Sequence, residues 1–275
     1  MATDLIASKI VIAASSDIGH AVANYWLSRG DKVVGTYRAR SEQVRELEAA
    51  GAFLVECDFT QKGSVDNAAR QILANIQCWD ALVLLPGTMT PIQSFDSCDF
   101  DLWDQSIHIN FLNQMRILHK LLPSRIKHSP HGALVAFCAG SGSNSAPKNL
   151  SAYTVSKIAL TKMCELLDSE IPDIRSVIIG PGWVKTRIHQ EMLSAGAAAG
   201  DGYHNTVERL RGNNFVPMER ILAGLDWLDA QPRTVIGGRN FSIPNDPWET
   251  QALTDKLCRD KDMYKLRRYR NEWKP

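Results

Sequence analysis

Short apolar runs alternate along the chain with longer stretches in which apolar residues recur at helical spacing. Apolar runs that lack polar alternation are typical of strands buried on both faces of a sheet. The alternation predicts an α/β fold, with a mostly parallel sheet and helices on both of its faces. The predicted strands are 9–14, 32–37, 52–56, 81–85, 133–138 and 174–179, and the predicted helices are 20–29, 42–50, 64–76, 99–122 and one that contains residue 153 and ends near 169.

The pattern loosens after residue 186. Residues 187–217 are rich in Ala, Gly and Asn, with only fragments of helical period, which is typical of a mobile cover over a pocket or of an ordinary surface excursion. A last helix is predicted at 218–229, followed by apolar strands at 234–236 and 241–243. The tail after Trp248 is highly charged and carries no assignable pattern. Since no internal repeat or low-complexity linker divides the chain, one domain is predicted over residues 1–275.

Composition narrows the class of partner. The chain has 275 residues, 44% of them apolar, and its 31 basic and 30 acidic side chains nearly cancel. That balance gives no general field for nucleic acid or for an anionic membrane surface, so a small-molecule substrate is expected. The six cysteines form no C-x-x-C pair, and the sequence shows neither a leader-type start nor a run of about 18 apolar residues. We expect a cytoplasmic protein with reduced thiols, no bound metal and no membrane partner.

The segment Tyr153-Thr154-Val155-Ser156-Lys157 carries the first candidate chemistry. It lies in a predicted helix, where residues four apart share one face. A cation beside a tyrosine hydroxyl favours the phenolate and lowers the pKa of the phenol, which suits proton transfer to or from a substrate oxygen. Carbonyl reduction and alcohol oxidation need that transfer. Taken alone, the same spacing also occurs in solvated pairs on helix surfaces.

A second candidate is the turn after the first predicted strand, Ala13-Ala14-Ser15-Ser16-Asp17-Ile18-Gly19. A strand that passes through a small-residue turn into a helix is where α/β folds bind phosphates, because the helix N-terminus offers unpaired N–H groups and a positive dipole end. In order and spacing, this turn and the Tyr153/Lys157 pair resemble the short-chain dehydrogenase/reductase family, over about residues 8–245. The resemblance implies a doubly wound Rossmann-type domain that binds NAD or NADP across its strand ends. It also implies hydride transfer between that cofactor and a carbonyl or secondary alcohol.

The phosphate-binding turn departs from the family pattern. The family usually has Thr-Gly-x-x-x-Gly-x-Gly, whereas this chain has Ala13 and Asp17 at the first two glycine positions and Gly19 at the third. Ala13 fits with little strain if its φ is negative. The Asp17 carboxylate would lie near a pyrophosphate, and this conflict is small if it turns outward or caps the helix. The resemblance implies cofactor contacts from Ala13, Ser15, Ser16, Asp17, Ile18 and Gly19.

The end of the second predicted strand distinguishes NAD from NADP in this family. A carboxylate there accepts from both ribose hydroxyls, whereas an arginine can pair with the 2′-phosphate of NADP. Tyr37 is followed by Arg38 and Arg40 with no acid, which favours NADP, although both arginines could also be solvated charges at a helix start. Asp58, after the third predicted strand, matches the residue that touches the adenine amino group, or it is a helix cap.

Three further segments match family positions. After the fourth predicted strand, the family's Asn-Asn-Ala-Gly is replaced by Leu84-Leu85-Pro86-Gly87, so only Gly87 is kept. Asn110 matches an asparagine that helps to hold a water beside the catalytic lysine, and otherwise it is a satisfied core amide. The segment after the sixth predicted strand matches the one that contacts the nicotinamide, here through Pro181, Gly182, Val184 and Thr186.

The resemblance assigns the catalytic roles. Tyr153 would be the general acid/base, Lys157 would lower its pKa and hold the ribose, and Asn110 would order the proton relay. An ungapped count from the tyrosine places the catalytic serine at Gly140, so Ser141, with Ser143 as its substitute, is predicted to steady the substrate oxygen. Because the helices that hold the asparagine and the tyrosine often form subunit interfaces in this family, a homodimer or homotetramer is expected.

Two other functions stay open at this point. A non-catalytic dinucleotide sensor would explain the missing glycines and asparagines, whereas the intact Tyr153, Lys157 and Asn110 oppose it. An epimerase or dehydratase acting on a nucleotide-linked sugar would use a transient keto form, but such relatives are usually longer. Five side chains are expected to line or cover the substrate pocket: Trp183, His189, Met192, Tyr203 and His204. Of these, the two histidines are predicted to be surface residues and not catalytic ones.

Overall fold

The strands form a single parallel sheet. The computed structural model describes residues 7–127, 131–139 and 145–268. Within these ranges the strands are β1 (Ser8–Ile12), β2 (Lys32–Tyr37), β3 (Phe53–Glu56), β4 (Trp79–Leu84), β5 (Ala133–Cys138), β6 (Ile174–Gly180) and β7 (Arg239–Ser242). All seven are parallel and lie in the order β3-β2-β1-β4-β5-β6-β7. The order reverses between β1 and β4, which creates a crevice at their carboxyl ends.

Helices connect the strands and cover both faces of the sheet. They are α1 (Asp17–Ser28), α2 (Glu42–Ala49), α3 (Lys62–Asn75), α4 (Phe100–Ile107), α5 (Asn113–Leu121), α6 (Ser151–Glu170), α7 (Ile188–Ala195), α8 (Asp201–Gly212), α9 (Met218–Ala230), α10 (Arg233–Ile236) and α11 (Gln251–Arg259). A π-helical segment, His108–Leu112, joins α4 to α5, and 3-10 turns lie at Leu122–Ser124 and Gly196–Ala199. Of the helices described, none combines the length and the apolar content needed to cross a bilayer.

Side chains on the strands alternate between two apolar cores, one on each face of the sheet. In β1, Val11 belongs to one core, whereas Ile10 and Ile12 belong to the other. The pleat of a strand produces this alternation, and because both cores are apolar, the strand sequences read as continuous apolar runs. The α/β fold class predicted from the sequence is confirmed, as is the sheet with helices on both faces.

The predicted strand at 234–236 is wrong. Residues Arg233–Ile236 form the one-turn helix α10, which begins directly after Pro232. Gly238 follows with a φ of +69°, and the chain enters β7 only at Arg239. Proline fixes a φ that suits the first turn of a helix. The apolar pair at 235–236 is buried as a strand would be, so apolar content alone did not separate the two structures.

The charged tail folds back over the edge of the sheet. The buried Arg239 guanidinium donates to the carbonyl oxygens of Leu257 at 2.7 Å and Asp260 at 2.9 Å, and it also contacts the carbonyl of Met263. The backbone N–H of Asn240 donates to the carbonyl of Tyr264 at 2.8 Å. A buried arginine therefore fixes the segment after α11 against the outer side of β7.

Residues 187–217 contain more regular structure than their sequence indicates, since α7 and α8 lie within them. The two helices are tied to the end of β6 through Trp183. Its ring stacks on His189 of α7 with the ring centroids 4.3 Å apart, and the Arg209 guanidinium of α8 lies 4.8 Å from the Trp183 ring centroid. Aromatic stacking and a cation–π contact help to hold this segment to the sheet, and Met192 and Ala199 add a small buried apolar cluster with Met89 and Ile92.

Candidate active site

A groove of about 1480 Å³ runs along the carboxyl ends of the strands. Parallel strands present these ends at one edge of the sheet, so loops distant in sequence meet there. Fourteen of the predicted site residues line the groove: Ala13, Ser15, Ser16, Asp17, Ile18, Arg38, Asp58, Gly87, Tyr153, Lys157, Pro181, Gly182, Val184 and Thr186. Gly19 and Asn110 are buried behind this lining. Ser141 and Ser143 lie outside the described residues. Most of the predicted site residues therefore lie together along one groove, while their roles stay predictions.

The turn after β1 is shaped for a close approach to a ligand. Ser16 caps α1: its Oγ accepts from the Gly19 N–H at 3.1 Å and donates to the Ala13 carbonyl at 2.7 Å. A Cβ on Gly19 would lie 2.2 Å from the Ala13 carbonyl oxygen, so only glycine fits. Among the described residues, the N–H groups of Asp17 and Ile18 have no hydrogen-bond partner. Unpaired first-turn N–H groups at a helix N-terminus are a site for an anion.

Ala13 is strained, because its φ is +66°. The expectation of a negative φ at this position is therefore wrong. The turn places a left-handed conformation at this position, and the Ala13 N–H is held there by the Thr36 hydroxyl at 2.9 Å. A left-handed residue with a Cβ costs about 1–2 kcal/mol relative to its preferred conformation.

Replacing Ala13 with Gly is expected to raise the free energy of unfolding by about 1 kcal/mol, because relief of the left-handed strain exceeds the added entropy of an unfolded glycine. Chemical denaturation of both proteins measures the change. Ala50→Gly is the matched control, since Ala50 is an exposed alanine with a φ of −78°. A gain of the same size in the control, or none in Ala13→Gly, would contradict the strain.

The Asp17 carboxylate turns across the groove and does not cap its own helix. Its Oδ2 accepts from the Arg187 backbone N–H at 2.7 Å, and its Oδ1 lies 3.2 Å from Arg187 Nε. The carboxylate therefore adopts neither of the two arrangements expected to lessen a conflict with a bound phosphate, outward or capping α1, and is paired with Arg187 instead. The residue that receives the carboxylate lies 170 positions away in the sequence.

The two arginines after β2 differ in their surroundings. Arg40 pairs with Glu48 at 2.5 Å and lies over the Tyr37 ring, with its guanidinium carbon 4.9 Å from the ring centroid. Arg38 is exposed, lines the groove and makes no hydrogen bond or ion pair within the described residues. Arg38 is therefore the arginine whose fork of donors is available to a ligand.

Asp58 is partly used by the backbone. Its Oδ1 accepts from the Thr60 N–H at 2.9 Å, and its own N–H donates to the Ser64 hydroxyl at 2.9 Å. This is the local turn that an aspartate after a strand commonly makes. Its other carboxylate oxygen has no hydrogen-bond partner among the described residues, so a contact to an adenine amino group stays compatible with the turn.

Tyr153 and Lys157 lie on one face of α6, with Lys157 Nζ 5.6 Å from the centre of the Tyr153 ring. Lys157 Nζ donates to the carbonyl of Cys138 at 2.9 Å and to that of Pro86 at 3.4 Å. The Tyr153 hydroxyl makes no hydrogen bond within the described part of the chain. Its ring packs in a small apolar cluster with Met89, Ile92 and Met192, which fixes the position of the hydroxyl.

The pKa values of this pair correct the sequence-based expectation. Burial raises the pKa of Tyr153, and the Cys138 thiol and the Glu191 carboxylate raise it further. Burial also lowers the pKa of Lys157. The ammonium was expected to lower the pKa of the phenol, but in the protein alone the cost of burying a phenolate is the larger effect. The Tyr153 phenol is consequently neutral at pH 7.

Asn110 is a satisfied buried amide within the π-helical segment. Its Oδ1 accepts from the Thr88 N–H at 3.0 Å, and its Nδ2 donates to the Thr88 carbonyl at 2.9 Å and to the Ser106 hydroxyl at 3.0 Å. Its main-chain carbonyl accepts from Gln114 Nε2 at 2.8 Å, and Gln114 also donates to Pro86 at 3.0 Å. Lys157 shares that Pro86 carbonyl, so Asn110 reaches the lysine only through Gln114 and the backbone.

The loop after β4 is held from two sides. Asn110 fixes Thr88 from below, which compensates for the asparagines that the loop itself lacks. From α7, one oxygen of Glu191 accepts from the Met89 N–H at 2.6 Å and from the Thr90 N–H at 3.1 Å. The same oxygen accepts from the Thr88 hydroxyl at 2.9 Å. Glu191 therefore pins the segment after β6 against the loop after β4.

Comparisons with known proteins agree with this geometry. A family model described as short chain dehydrogenase matches residues 8–196. An uncharacterized oxidoreductase of Schizosaccharomyces pombe is 27% identical over 232 residues, which are 81% of this chain and 91% of that protein. The KRED1-Pglu enzyme superposes with a TM-score of 0.76 at 25% identity, covering 86% of this chain and 100% of that chain. A variant of the actinorhodin polyketide ketoreductase, solved with NADPH, has a TM-score of 0.73 at 18% identity, covering 88% and 97%.

The chain belongs to the short-chain dehydrogenase family. It is accordingly an oxidoreductase with a nicotinamide-cofactor site. Three residues that shape the site were not predicted from the sequence: Arg187, Glu191 and Gln114. Of these, only Arg187 had a signal in the sequence, because the unexpected carboxylate of Asp17 indicates that a cation from another segment lies beside it.

Proposed function

We propose that the protein is an NADP-dependent reductase or dehydrogenase that interconverts a carbonyl and a secondary alcohol. The observation that carries this proposal is the Tyr153 hydroxyl, which has no hydrogen-bond partner among the described residues and belongs to a residue that lines the same groove as Lys157 and the phosphate-type turn at residues 13–19. A sensor would need the turn but no proton donor. The pairing of the two features favours an enzyme.

The groove fits a dinucleotide in three respects. The Asp17 and Ile18 N–H groups lack partners among the described residues, so they suit a pyrophosphate. The backbone at Gly19 leaves no room for a Cβ. The volume, about 1480 Å³, exceeds that of a typical small-ligand pocket and accommodates a cofactor together with a substrate. When bound, the nicotinamide cofactor supplies or accepts the hydride.

The side chains divide the remaining work. Tyr153, which is protonated at neutral pH, donates its proton to a carbonyl oxygen in reduction, and its phenolate accepts a proton in alcohol oxidation. Lys157 is anchored by hydrogen bonds to the Cys138 and Pro86 carbonyls. From this position it holds a ribose and polarises the Tyr153 hydroxyl. Asn110 keeps the Thr88 loop in place and is proposed to order the proton relay. Ser141 is proposed as the donor that steadies the substrate oxygen.

The first test is calorimetric titration of the purified protein with NADPH and, separately, with NADH at equal ionic strength. Tighter NADPH binding supports the proposal and justifies a screen of carbonyl compounds that follows NADPH consumption. If neither cofactor binds, Asp17 and the replaced asparagines have inactivated the site, and the enzyme assignment must be abandoned.

Arg38 is proposed to select NADP through the 2′-phosphate. Arg38→Asp is expected to weaken NADPH about 10- to 100-fold and to leave NADH unchanged or tighter, because a charge-assisted fork is lost and a repulsive carboxylate is gained. Paired calorimetric titrations give the ratio of the two affinities. Arg40→Ala serves as control, since Arg40 is already paired with Glu48. An unchanged ratio in Arg38→Asp contradicts this role.

Three broader features belong to the same proposal. Residues 187–217 cover the substrate, a role supported by Ile188, Glu191 and Met192 in the lining of the groove.

A homodimer or homotetramer is supported by Leu112, Val155 and Leu166, which are large apolar side chains on the π-helical segment and α6 with exposed fractions of 43%, 52% and 44%. Sedimentation equilibrium tests it, and a monomer at micromolar concentration opposes it. The cytoplasm is proposed as the compartment on the sequence grounds already given.

A further inference from the structure

An ion pair joins opposite sides of the groove. Arg187 follows β6, whereas Asp17 follows β1, and the sheet places β4 and β5 between those two strands. The contacts of Asp17 with the Arg187 backbone N–H and Nε therefore extend past the ends of two intervening strands. Arg187, Asp17 and the Ser15 backbone all line the groove.

Arg187 is positioned by three different groups. Nε pairs with Asp17, while Nη2 donates to the Ser15 carbonyl and, at 3.1 Å, to Gln43 Oε1 of α2. Nη1 makes no hydrogen bond within the described residues. The Arg187 guanidinium is thus held in a fixed orientation at the β1–α1 turn, and its Nη1 group is available to donate to a ligand. An arginine whose side chain is 61% exposed adds little to folding stability through such a pair, so stability alone does not account for the arrangement.

The charges explain how this chain tolerates Asp17. A carboxylate beside the first-turn N–H groups of α1 would repel a phosphate that binds there. Arg187 neutralises that carboxylate and brings a cation to the same turn. Because their charges are paired, the two residues act as one unit in electrostatic terms.

We propose that Arg187 is a cofactor-binding residue that holds the pyrophosphate of the dinucleotide, and that Asp17 is the residue that positions it. This inference rests on the proposed dinucleotide function. Since the pyrophosphate is common to both cofactors, Arg187 contributes equally to NADPH and NADH. In this respect it differs from Arg38, whose effect depends on the 2′-phosphate.

The test measures cofactor affinity by calorimetry in the wild type, Arg187→Ala, Asp17→Asn and the double variant. Arg187→Ala is expected to weaken NADPH and NADH alike, about 10- to 100-fold, because it removes a charged donor and leaves the carboxylate unopposed. Asp17→Asn should change affinity by only a few-fold, and the double variant should recover part of the loss. The difference should shrink as ionic strength rises. Arg211→Ala, an exposed arginine at the end of α8, is the matched control.

Three results would overturn the inference: wild-type affinity in Arg187→Ala, a loss confined to NADPH, or full recovery in the double variant. The last would mean that Arg187 only shields Asp17 and does not hold the pyrophosphate. Absence of cofactor binding in the wild type is a separate result, which rejects the proposed function itself. Thermal unfolding without cofactor should be equal in wild type and Arg187→Ala, which separates a binding effect from a folding effect.

Discussion

Tyr153→Phe is expected to lower turnover about a hundredfold or more while cofactor affinity changes little. The substitution removes one hydroxyl and keeps the ring in its cluster with Met89, Ile92 and Met192, so the site keeps its shape. What is lost is the proton donor, and general acid catalysis contributes about 10²–10⁴-fold. Since reduction is the direction in which the neutral phenol acts as acid, NADPH consumption with a carbonyl substrate is the assay of choice. A parallel calorimetric titration checks that binding is intact.

The matched control for that experiment is Tyr25→Phe. The Tyr25 hydroxyl bonds Asp226 on α9, and the residue does not line the groove. Its loss should lower stability and leave turnover unchanged. Turnover in Tyr153→Phe within a few-fold of the wild type would move the acid to another group. A fall in cofactor affinity as large as the fall in turnover would instead assign the tyrosine a binding role.

Gly19→Ala is expected to abolish measurable cofactor binding and to lower the free energy of unfolding by about 1–3 kcal/mol. The added methyl would meet the Ala13 carbonyl oxygen at 2.2 Å, and a backbone atom cannot rotate away as a side chain can. The turn and the first residues of α1 must therefore separate, which displaces the N–H groups of Asp17 and Ile18. Calorimetry with NADPH and chemical denaturation measure the two effects.

Gly63→Ala gives the control for a glycine that needs no special space. Gly63 lies in the first turn of α3, and no atom comes within 4 Å of a Cβ built on it. Alanine at such a position should be neutral or should add about 0.5–1 kcal/mol to the free energy of unfolding. If Gly19→Ala behaves like Gly63→Ala, the turn is more plastic than its geometry indicates, and close contact between backbone and cofactor is not required there.

Much of the fold follows from local pattern. The bounds of β2 and β5 agree with those predicted, because a parallel strand buried on both faces has a sharp apolar signature between turn residues. The short helix α10 was assigned as a strand because four residues are too few to show a helical period. The helix α11 was not predicted, because its two buried apolar positions, Leu253 and Leu257, have helical spacing but are too few to define a period within a charged tail.

The sequence predicted which residues meet at the candidate site, but it did not predict the contacts that they make there. Family-like residues at the ends of predicted strands were expected to meet, because parallel strands share one carboxyl edge. The sequence could not show that Ala13 adopts a positive φ or that Asp17 reaches residue 187, since both depend on how loops far apart in sequence are packed. The pKa of Tyr153 was predicted in the wrong direction, because the spacing of two residues in a helix says nothing about how deeply they are buried.

The fold-back of the tail has a consequence for how copies of this protein can associate. Strand β7 ends the sheet, and an open edge strand is a template for pairing with another chain. Here the Asn240 N–H donates to the Tyr264 carbonyl and the Ser242 N–H donates to the Asp246 carboxylate at 2.6 Å. These two N–H groups, on alternate residues of β7, are therefore not available to a further strand. Sheet extension and fibril-type growth are blocked on this side by the protein's own C-terminal residues. Truncation before residue 260 would remove the Tyr264 carbonyl that covers the Asn240 N–H and leave this edge less protected.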